Sequence, residues 1–167
     1  MPLGRFSFLV LMAVLAGGCG VAPEGSLQIG SIVPEVKTKT LADVDGDFSR
    51  ITSYRYPDER MYQYSLDAAL ATGKPIVLEF ATPGHCTVCD VQLQMLKGML
   101  VKYEKDVIFL HMDQYQNPEA FKAFKVRGDP WTYVIDSDHK VQYKQAGRVL
   151  YGELEYVVKR VLGVEAG

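Results

Sequence analysis

The sequence has few cysteines, little net charge and no long apolar run. Three cysteines among 167 residues are too few for a small domain stapled by disulfides. The 18 basic and 20 acidic residues sum to −2, which argues against nucleic-acid binding, because nucleic-acid-binding surfaces are usually strongly basic. The apolar run from Phe6 to Ala16 is shorter than the roughly 20 residues that span a bilayer. What remains is an ordinary globular composition, with 48% hydrophobic residues and room for one domain plus extensions.

The first 18 residues have the pattern of a secretory signal. Arg5 is followed by the apolar run and then by the small residues that precede Cys19. This arrangement resembles a bacterial lipoprotein signal, although Ala16 stands where leucine is usual. The resemblance implies that Cys19 is lipidated and that acyl chains anchor the mature protein. An ordinary cleaved signal with an incidental cysteine is the alternative.

The remaining chain divides into a tether and a domain. Residues 19–50 are rich in Gly, Pro, Ser and acid without sustained periodicity, so we expect a tether with at most one short ordered piece. Residues 51–167 are expected to form the domain. The aromatic-rich stretch 48–64 predicts an opening strand or hairpin that packs on the domain edge.

From Ser65 onward, apolar periodicity predicts alternating helices and strands. SLDAALATG, the segment after Cys86, NPEAFKAFKV and LYGELEYVVKRVLG fit helices, and PIVLEFA, VIFLHMD, WTYVID and KVQYKQA fit strands. The last two strands are joined by a turn-like segment and predict a hairpin. The resulting order of βαβ, α, hairpin and α predicts an α/β sheet with helices on both faces.

Cys86 and Cys89 stand two residues apart where a strand runs into a helix. This spacing lets their sulfurs meet as a disulfide, and a cysteine at a helix N-terminus is favoured as a thiolate. Cys86 is therefore the natural nucleophile, and Cys89, one turn further in, should be less exposed. Zinc is disfavoured, because a structural zinc site needs four ligands and no second pair exists. Copper bound by the two thiolates and His85 stays open.

These residues resemble the thioredoxin superfamily over Ser65 to Gly163. PIVLEF leads into the Cys-X-X-Cys motif, Gly128-Asp129-Pro130 stands where the family has its cis-proline, and Gly147 precedes the last helix. The resemblance implies a thioredoxin-like fold with a central mixed β-sheet flanked by helices on both faces. It also implies a redox-active disulfide between Cys86 and Cys89.

The resemblance assigns a role to each matching residue. Cys86 is expected to attack and Cys89 to resolve the mixed disulfide. Pro130 is expected to be cis and to position substrate, and Glu79 matches the buried acid that accepts a proton from the resolving thiol.

Two residues depart from the family pattern and would modulate the chemistry. His85 replaces the usual tryptophan before the first cysteine, and Asp129 replaces an apolar residue or threonine before the cis-proline. A protonated His85 would stabilise the neighbouring thiolate, whereas Asp129 would oppose it. From the sequence alone the two effects cannot be ranked.

The sequence therefore predicts an extracytoplasmic thiol–disulfide oxidoreductase, lipid-anchored to a bacterial membrane and acting as a reductase. The resemblance to similar bacterial proteins implies as partners protein disulfides, apocytochrome c among them, and a membrane thiol reductase that donates electrons. We expect a monomer with no cofactor and no resident metal. The alternatives are a copper-binding module that uses Cys86, Cys89 and His85, and a non-catalytic interaction domain of the same fold.

Overall fold

A computed structural model of the chain describes residues 25–164. The predicted signal peptide, residues 1–18, and the predicted lipidation site, Cys19, lie outside the described residues. Within residues 25–164, no helix is long and apolar enough to cross a bilayer.

Residues 25–164 contain four α-helices and four strands, in the order that the periodicity predicts. In chain order they are α1 (Leu66–Ala71), β1 (Ile76–Phe80), α2 (Thr87–Tyr103), β2 (Ile108–Met112), α3 (Pro118–Ala123), β3 (Trp131–Ile135), β4 (Val141–Ala146) and α4 (Tyr151–Val161). The strands form one sheet in the order β2-β1-β3-β4. β1 is parallel to β2 and antiparallel to β3, and β3 is antiparallel to β4. The sheet is therefore mixed, with β1 and β3 at its centre.

Helices cover both faces of the sheet and divide the core in two. Because successive strand side chains point to opposite faces, Val77 of β1 packs with α2 and α4, whereas Leu78 and Phe80 pack with α1 and α3. All five β1 residues are buried, which explains why this strand reads as an almost continuous apolar run. The α/β prediction is confirmed.

Helix α2 turns a different face to the core from the one its valines suggest. Its buried residues recur at helical spacing from Cys89, so that Gln92 and Leu93 face inward. Val88 and Val91 are 45% and 43% exposed. The 3.6-residue period therefore leaves apolar side chains in solvent beside the Cys-X-X-Cys motif.

The part of the predicted tether that the structure describes lies against the domain. Val33 is buried, and its amide donates to the carbonyl oxygen of His139 at 2.9 Å. Ile32 forms a β-bridge with Lys140, and the hydroxyl of Thr38 accepts from the amide of Leu66 at 2.9 Å. Residues 25–50 thus differ from the expected tether, because Val33 packs in the core on the α1 and α3 side and Val44 in the core on the α2 and α4 side.

The prediction of an opening strand or hairpin in residues 48–64 is wrong. This stretch contains two short 3-10 helices, Phe48–Arg50 and Glu59–Tyr62. The side chains of Asp47 and Asp58 accept hydrogen bonds from the amides at their starts. Local capping therefore overrides the aromatic content of the stretch, which is typical of strands.

The second 3-10 helix places Tyr62 against a buried histidine of β2. The Nε2 atom of His111 lies 2.9 Å from the carbonyl oxygen of Ala81, which can only accept, so Nε2 carries the proton. Burial lowers the pKa of His111, so the ring is neutral and its Nδ1 accepts. The hydroxyl of Tyr62 donates to Nδ1 at 2.7 Å. This chain of hydrogen bonds supports the backbone just before the Cys-X-X-Cys loop.

Replacing Tyr62 by phenylalanine is expected to destabilise the protein by about 1–2 kcal/mol. The variant leaves Nδ1 of the buried His111 with only the hydroxyl of Thr52, 3.5 Å away. Guanidinium unfolding of the oxidised protein measures the change. Tyr56→Phe is the matched control, because Tyr56 is 64% exposed and should lose nothing measurable. Equal stability of the Tyr62→Phe variant and the wild type would contradict this role of the hydroxyl.

Candidate active site

Cys86 and Cys89 are joined by a disulfide at the start of α2. Their Cα atoms lie 5.2 Å apart. Cys86 is the N-cap of the helix, and its sulfur accepts from the amide of Cys89 at 3.2 Å. The loop from β1 turns through Gly84, whose φ of 92° is strained for any residue with a side chain. The pair therefore stands where exposed backbone amides and the helix dipole favour negative charge on sulfur.

The two cysteines differ in exposure in the order that the sequence predicts. Cys89 is fully buried, whereas Cys86 is partly exposed. In a reduced protein, a partner's disulfide can reach the sulfur of Cys86 but not that of Cys89. This asymmetry fits an attacking and a resolving cysteine.

The loop that contains Pro130 lies beside the sulfurs. The Asp129–Pro130 peptide bond is cis. The carbonyl oxygen of Pro130 accepts from the amide of Gly147 at 2.8 Å, which ties the loop to the end of β4. Pro130 thus follows directly the residue, Asp129, that lies beside the sulfurs, and its role in positioning substrate stays a prediction.

Glu79 lies in the middle of β1 and is fully buried. Its cross-strand neighbour Thr132 donates a hydroxyl hydrogen bond to Oε2 at 2.6 Å, and Oε1 has no partner within residues 25–164. Burial raises the pKa of Glu79 well above the usual range; the bond from Thr132 opposes this in part, and the charge of Asp129 adds to it. Glu79 therefore holds a proton at a pH where exposed glutamates are ionised.

Asp129 is the carboxylate that meets both sulfurs. One of its oxygens and the two sulfur atoms all lie within 4.8 Å of one another. Its Oδ2 atom is buried and has no hydrogen-bond partner in the described part of the chain. Asp129 therefore lies at the centre of the site.

His85, the other predicted modulator, is exposed. The group of donors that converges on the sulfurs contains Asp129, and His85 is not among its members. Water around an exposed imidazole screens its charge, so its influence on Cys86 is weaker than that of the partly buried carboxylate.

Sequence reasoning missed two side chains that support the site. Thr132 binds Glu79, and Nε2 of Gln92 lies 3.4 Å from the Thr132 hydroxyl. Oε1 of Gln92 also accepts from the amide of Val149 at 3.1 Å. Gln92 could have been found from its helical spacing of three from Cys89 and four from Leu96. Thr132 could not, because only strand pairing brings it to Glu79.

The comparisons with solved structures identify the fold. Chloroplastic thioredoxin z matches with a TM-score of 0.53 and 17% identity, over 59% of this chain and 88% of that protein. Thioredoxin-2 of a malaria parasite matches with a TM-score of 0.49 and 21% identity, over 52% and 82%. A thioredoxin of Fasciola hepatica matches with a TM-score of 0.47 and 24% identity, over 53% and 81%. No family model and no curated protein matches the sequence.

The similarity to thioredoxin z shows that this chain has the thioredoxin-like fold. The expected fold class is thereby confirmed. Within this fold, the Cys86–Cys89 disulfide stands at the start of the first helix after the central strand β1, where the helix N-terminus favours a thiolate.

Proposed function

We propose that this protein is an extracytoplasmic, lipid-anchored thiol–disulfide oxidoreductase that reduces disulfides in exported proteins. The Cys86–Cys89 disulfide at the N-terminus of α2, with one sulfur exposed and the other buried, carries this proposal. Reduction of insulin by dithiothreitol, followed as turbidity, tests the activity.

The reaction proceeds in two exchange steps. The Cys86 thiolate attacks a partner disulfide, forms a mixed disulfide and releases one partner sulfur as a thiolate. The Cys89 thiolate then attacks the Cys86 sulfur, which releases the second partner sulfur and closes the Cys86–Cys89 disulfide. Two electrons from a membrane thiol reductase return the pair to the dithiol form.

Two carboxyl groups handle the proton that Cys89 must lose before it attacks. An oxygen of Asp129 lies within 4.8 Å of both sulfurs, and Asp129 accepts this proton through direct contact or one bridging water. Glu79, whose pKa burial raises well above its usual range, is the second acid behind Asp129. The sequence predicts Glu79 alone as the proton acceptor; the proposed acceptor is instead the pair of Asp129 and Glu79.

The position of Asp129 supports the reducing direction. A carboxylate beside the sulfurs disfavours the thiolate form and so favours the disulfide. A Cys-X-X-Cys protein is a strong oxidant when its reduced form is stabilised. The Asp129 carboxylate instead destabilises the thiolate of the reduced form, which makes the protein a stronger reductant. His85 is exposed, so it offsets little of the effect of the Asp129 charge on the thiolate.

Replacing Asp129 by asparagine is expected to make the disulfide more oxidising. The equilibrium constant with glutathione, measured with a chelator present, should shift towards the dithiol by roughly tenfold, since one pKa unit is about 1.4 kcal/mol. His85→Ala should shift the constant by less. An unchanged constant for Asp129→Asn would contradict the argument for direction.

The surface around the disulfide supports a protein substrate. Val88 lies between the cysteines and Val91 one turn further along α2, and both are exposed. Tyr56 is 64% exposed and lines the same surface cavity as Val91. Other residues of this cavity are Ser53, Arg55, Thr87 and Gln94. Exposed apolar side chains next to a reactive sulfur suit an unfolded chain such as an apocytochrome c.

The proposed location follows from the N-terminal signal. Acyl chains on Cys19 would hold the protein at an extracytoplasmic membrane surface, within reach of a membrane reductase. The chain between Cys19 and the domain is short, because residues from 27 onward already pack on it. The active site would therefore work close to the membrane.

Replacing Cys19 by serine is expected to release the protein from membranes. Fractionation of the native host should find the wild type in the membrane pellet and the Cys19→Ser variant in the soluble fraction or unprocessed. Insulin reduction by the variant controls for folding and should be unchanged. Wild-type protein in the soluble fraction would rule out the anchor.

A further inference from the structure

Three potential metal ligands converge at the disulfide. The sulfurs of Cys86 and Cys89 and a carboxylate oxygen of Asp129 all lie within 4.8 Å of one another. Zinc binds cysteine sulfur at about 2.3 Å and carboxylate oxygen at about 2.0–2.2 Å. Ligands around one such ion are therefore separated by distances within this span. Reduction lets the two sulfurs part, so that an ion can lie among the three ligands.

Asp129, the carboxylate of this group, also has a buried oxygen without a hydrogen-bond partner. Its Oδ2 has no hydrogen-bond partner in the described part of the chain, although buried carboxylate oxygens usually have one. In the oxidised protein the Asp129 carboxylate lies beside a neutral disulfide. In the dithiol form two more groups that can become anions lie beside it, and a cation there would satisfy all three.

The set of donors selects a divalent ion of the zinc class, which the sequence disfavoured because only the tertiary structure brings a third ligand, Asp129, to the cysteine pair. Two cysteines separated by two residues are a common zinc-binding pair, and a carboxylate is a regular third ligand. Cu(I) prefers soft donors and gains little from a carboxylate. The nitrogen ligand that copper would need from the neighbouring sequence is on His85, which is exposed and lies outside this group.

We propose that the dithiol form of this protein binds one zinc-class divalent cation through Cys86 Sγ, Cys89 Sγ and the Asp129 carboxylate. Binding displaces the thiol protons, which pass to solvent as the two metal–sulfur bonds form. Cys86 and Asp129 are only partly buried, so the fourth position is open to water or to a further ligand. The metal and the disulfide use the same sulfurs and exclude one another.

The proposed metal binding does not depend on whether the protein is an oxidoreductase. A bound cation would occupy the nucleophile, so the loaded protein would neither exchange disulfides nor react with alkylating agents. Metal-free dithiol protein would do both if the proposed function holds. Failure of metal binding and failure of disulfide exchange can therefore be observed separately.

Zinc chloride competed against a chromophoric chelator tests the proposal, with full-length protein in detergent. The reduced wild type should bind one zinc per chain, and the oxidised protein should bind none. Asp129→Asn should weaken binding by roughly 10- to 100-fold. Asp90→Asn, which removes a nearby carboxylate of α2 outside the group, and His85→Ala should bind like the wild type. Cys19 is retained in every variant.

Two measurements guard against a variant that merely misfolds. Thermal melting of the oxidised Asp129→Asn variant shows whether the fold is intact, and Asp129→Glu, which keeps a carboxylate, should retain part of the affinity. Co²⁺ bound to reduced wild type should show sulfur-to-metal charge transfer and the intense d–d bands of a four-coordinate ion.

Three results would overturn the proposal. The first is a reduced wild type that does not bind zinc more tightly than the oxidised form. The second is a folded Asp129→Asn variant with wild-type affinity. The third is a loss of binding in His85→Ala as large as in Cys86→Ser, which would assign the metal to the copper-type set of ligands.

Discussion

Cys86→Ser is expected to lose insulin reduction down to the rate of dithiothreitol alone, a loss of at least about 1000-fold in catalysed rate. The Cys86 sulfur is partly exposed and accepts a hydrogen bond from the Cys89 amide at the helix N-terminus, which favours the thiolate. A serine hydroxyl at this position is not ionised at neutral pH and cannot replace the thiolate. The turbidity assay with detergent-solubilised protein measures the effect. Retention of most of the activity by Cys86→Ser would eliminate the proposed nucleophile.

Cys89→Ser should fail at a different step. Cys86 still attacks in this variant, but the mixed disulfide has no resolving thiol and accumulates. Non-reducing electrophoresis in the native host should show adducts that disappear with dithiothreitol and that identify the partners. The double variant, Cys86→Ser with Cys89→Ser, is the control and should form none. Absence of adducts with the single variant would count against exchange with proteins.

Glu79→Gln is expected to change how stability depends on pH. Burial raises the pKa of Glu79 in the folded protein, because the ionised carboxylate loses its hydration. Between the ordinary glutamate pKa of about 4.3 and the raised value, the unfolded chain releases a proton that the folded protein keeps. The contribution of Glu79 is therefore complete below the ordinary pKa and is lost as the pH rises, by about 1.4 kcal/mol per pH unit.

Glutamine at position 79 has no proton to lose and can still accept from Thr132. Between about pH 4.3 and the raised pKa of Glu79, the free energy of unfolding of Glu79→Gln should thus increase relative to that of the wild type with every pH unit. Guanidinium unfolding of the oxidised proteins across this range measures the difference. Glu35→Gln is the control, because Glu35 is exposed and its replacement should leave the pH dependence unchanged. A difference between Glu79→Gln and wild type that is the same at all pH values would contradict the burial effect.

Much of the architecture could be predicted because it is encoded in local patterns. The strand that contains Leu78 and the helix that contains Leu96 are recognised from the spacing of apolar residues within each segment. The sequence therefore predicts both elements correctly. Local patterns failed where capping competes with composition, as at Asp47 and Asp58, and where scattered apolar residues such as Val33 find distant partners.

Contacts of the candidate site could be predicted between residues that are close in the sequence, but not between residues that only the fold brings together. Cys86 and Cys89 are three residues apart, so their pairing at a helix start follows from sequence. Glu79 was recognised as an unusual acid in an apolar strand, but its hydrogen bond to Thr132 spans 53 residues. The relative weight of His85 and Asp129 needed their exposure and their distance to the sulfurs, which no sequence pattern contains.

The sequence by itself determined which groups can do chemistry in this protein: a cysteine pair at a strand-to-helix junction, an acid in a buried strand, and an aspartate before a proline. Only the tertiary structure decided how these groups act on one another. Antiparallel pairing of β1 with β3 puts Thr132 beside Glu79, and the loop before β3 brings Asp129 to the sulfurs. The physical reason is that charge and hydrogen bonding act over a few ångströms of space, whatever the separation of the residues along the chain.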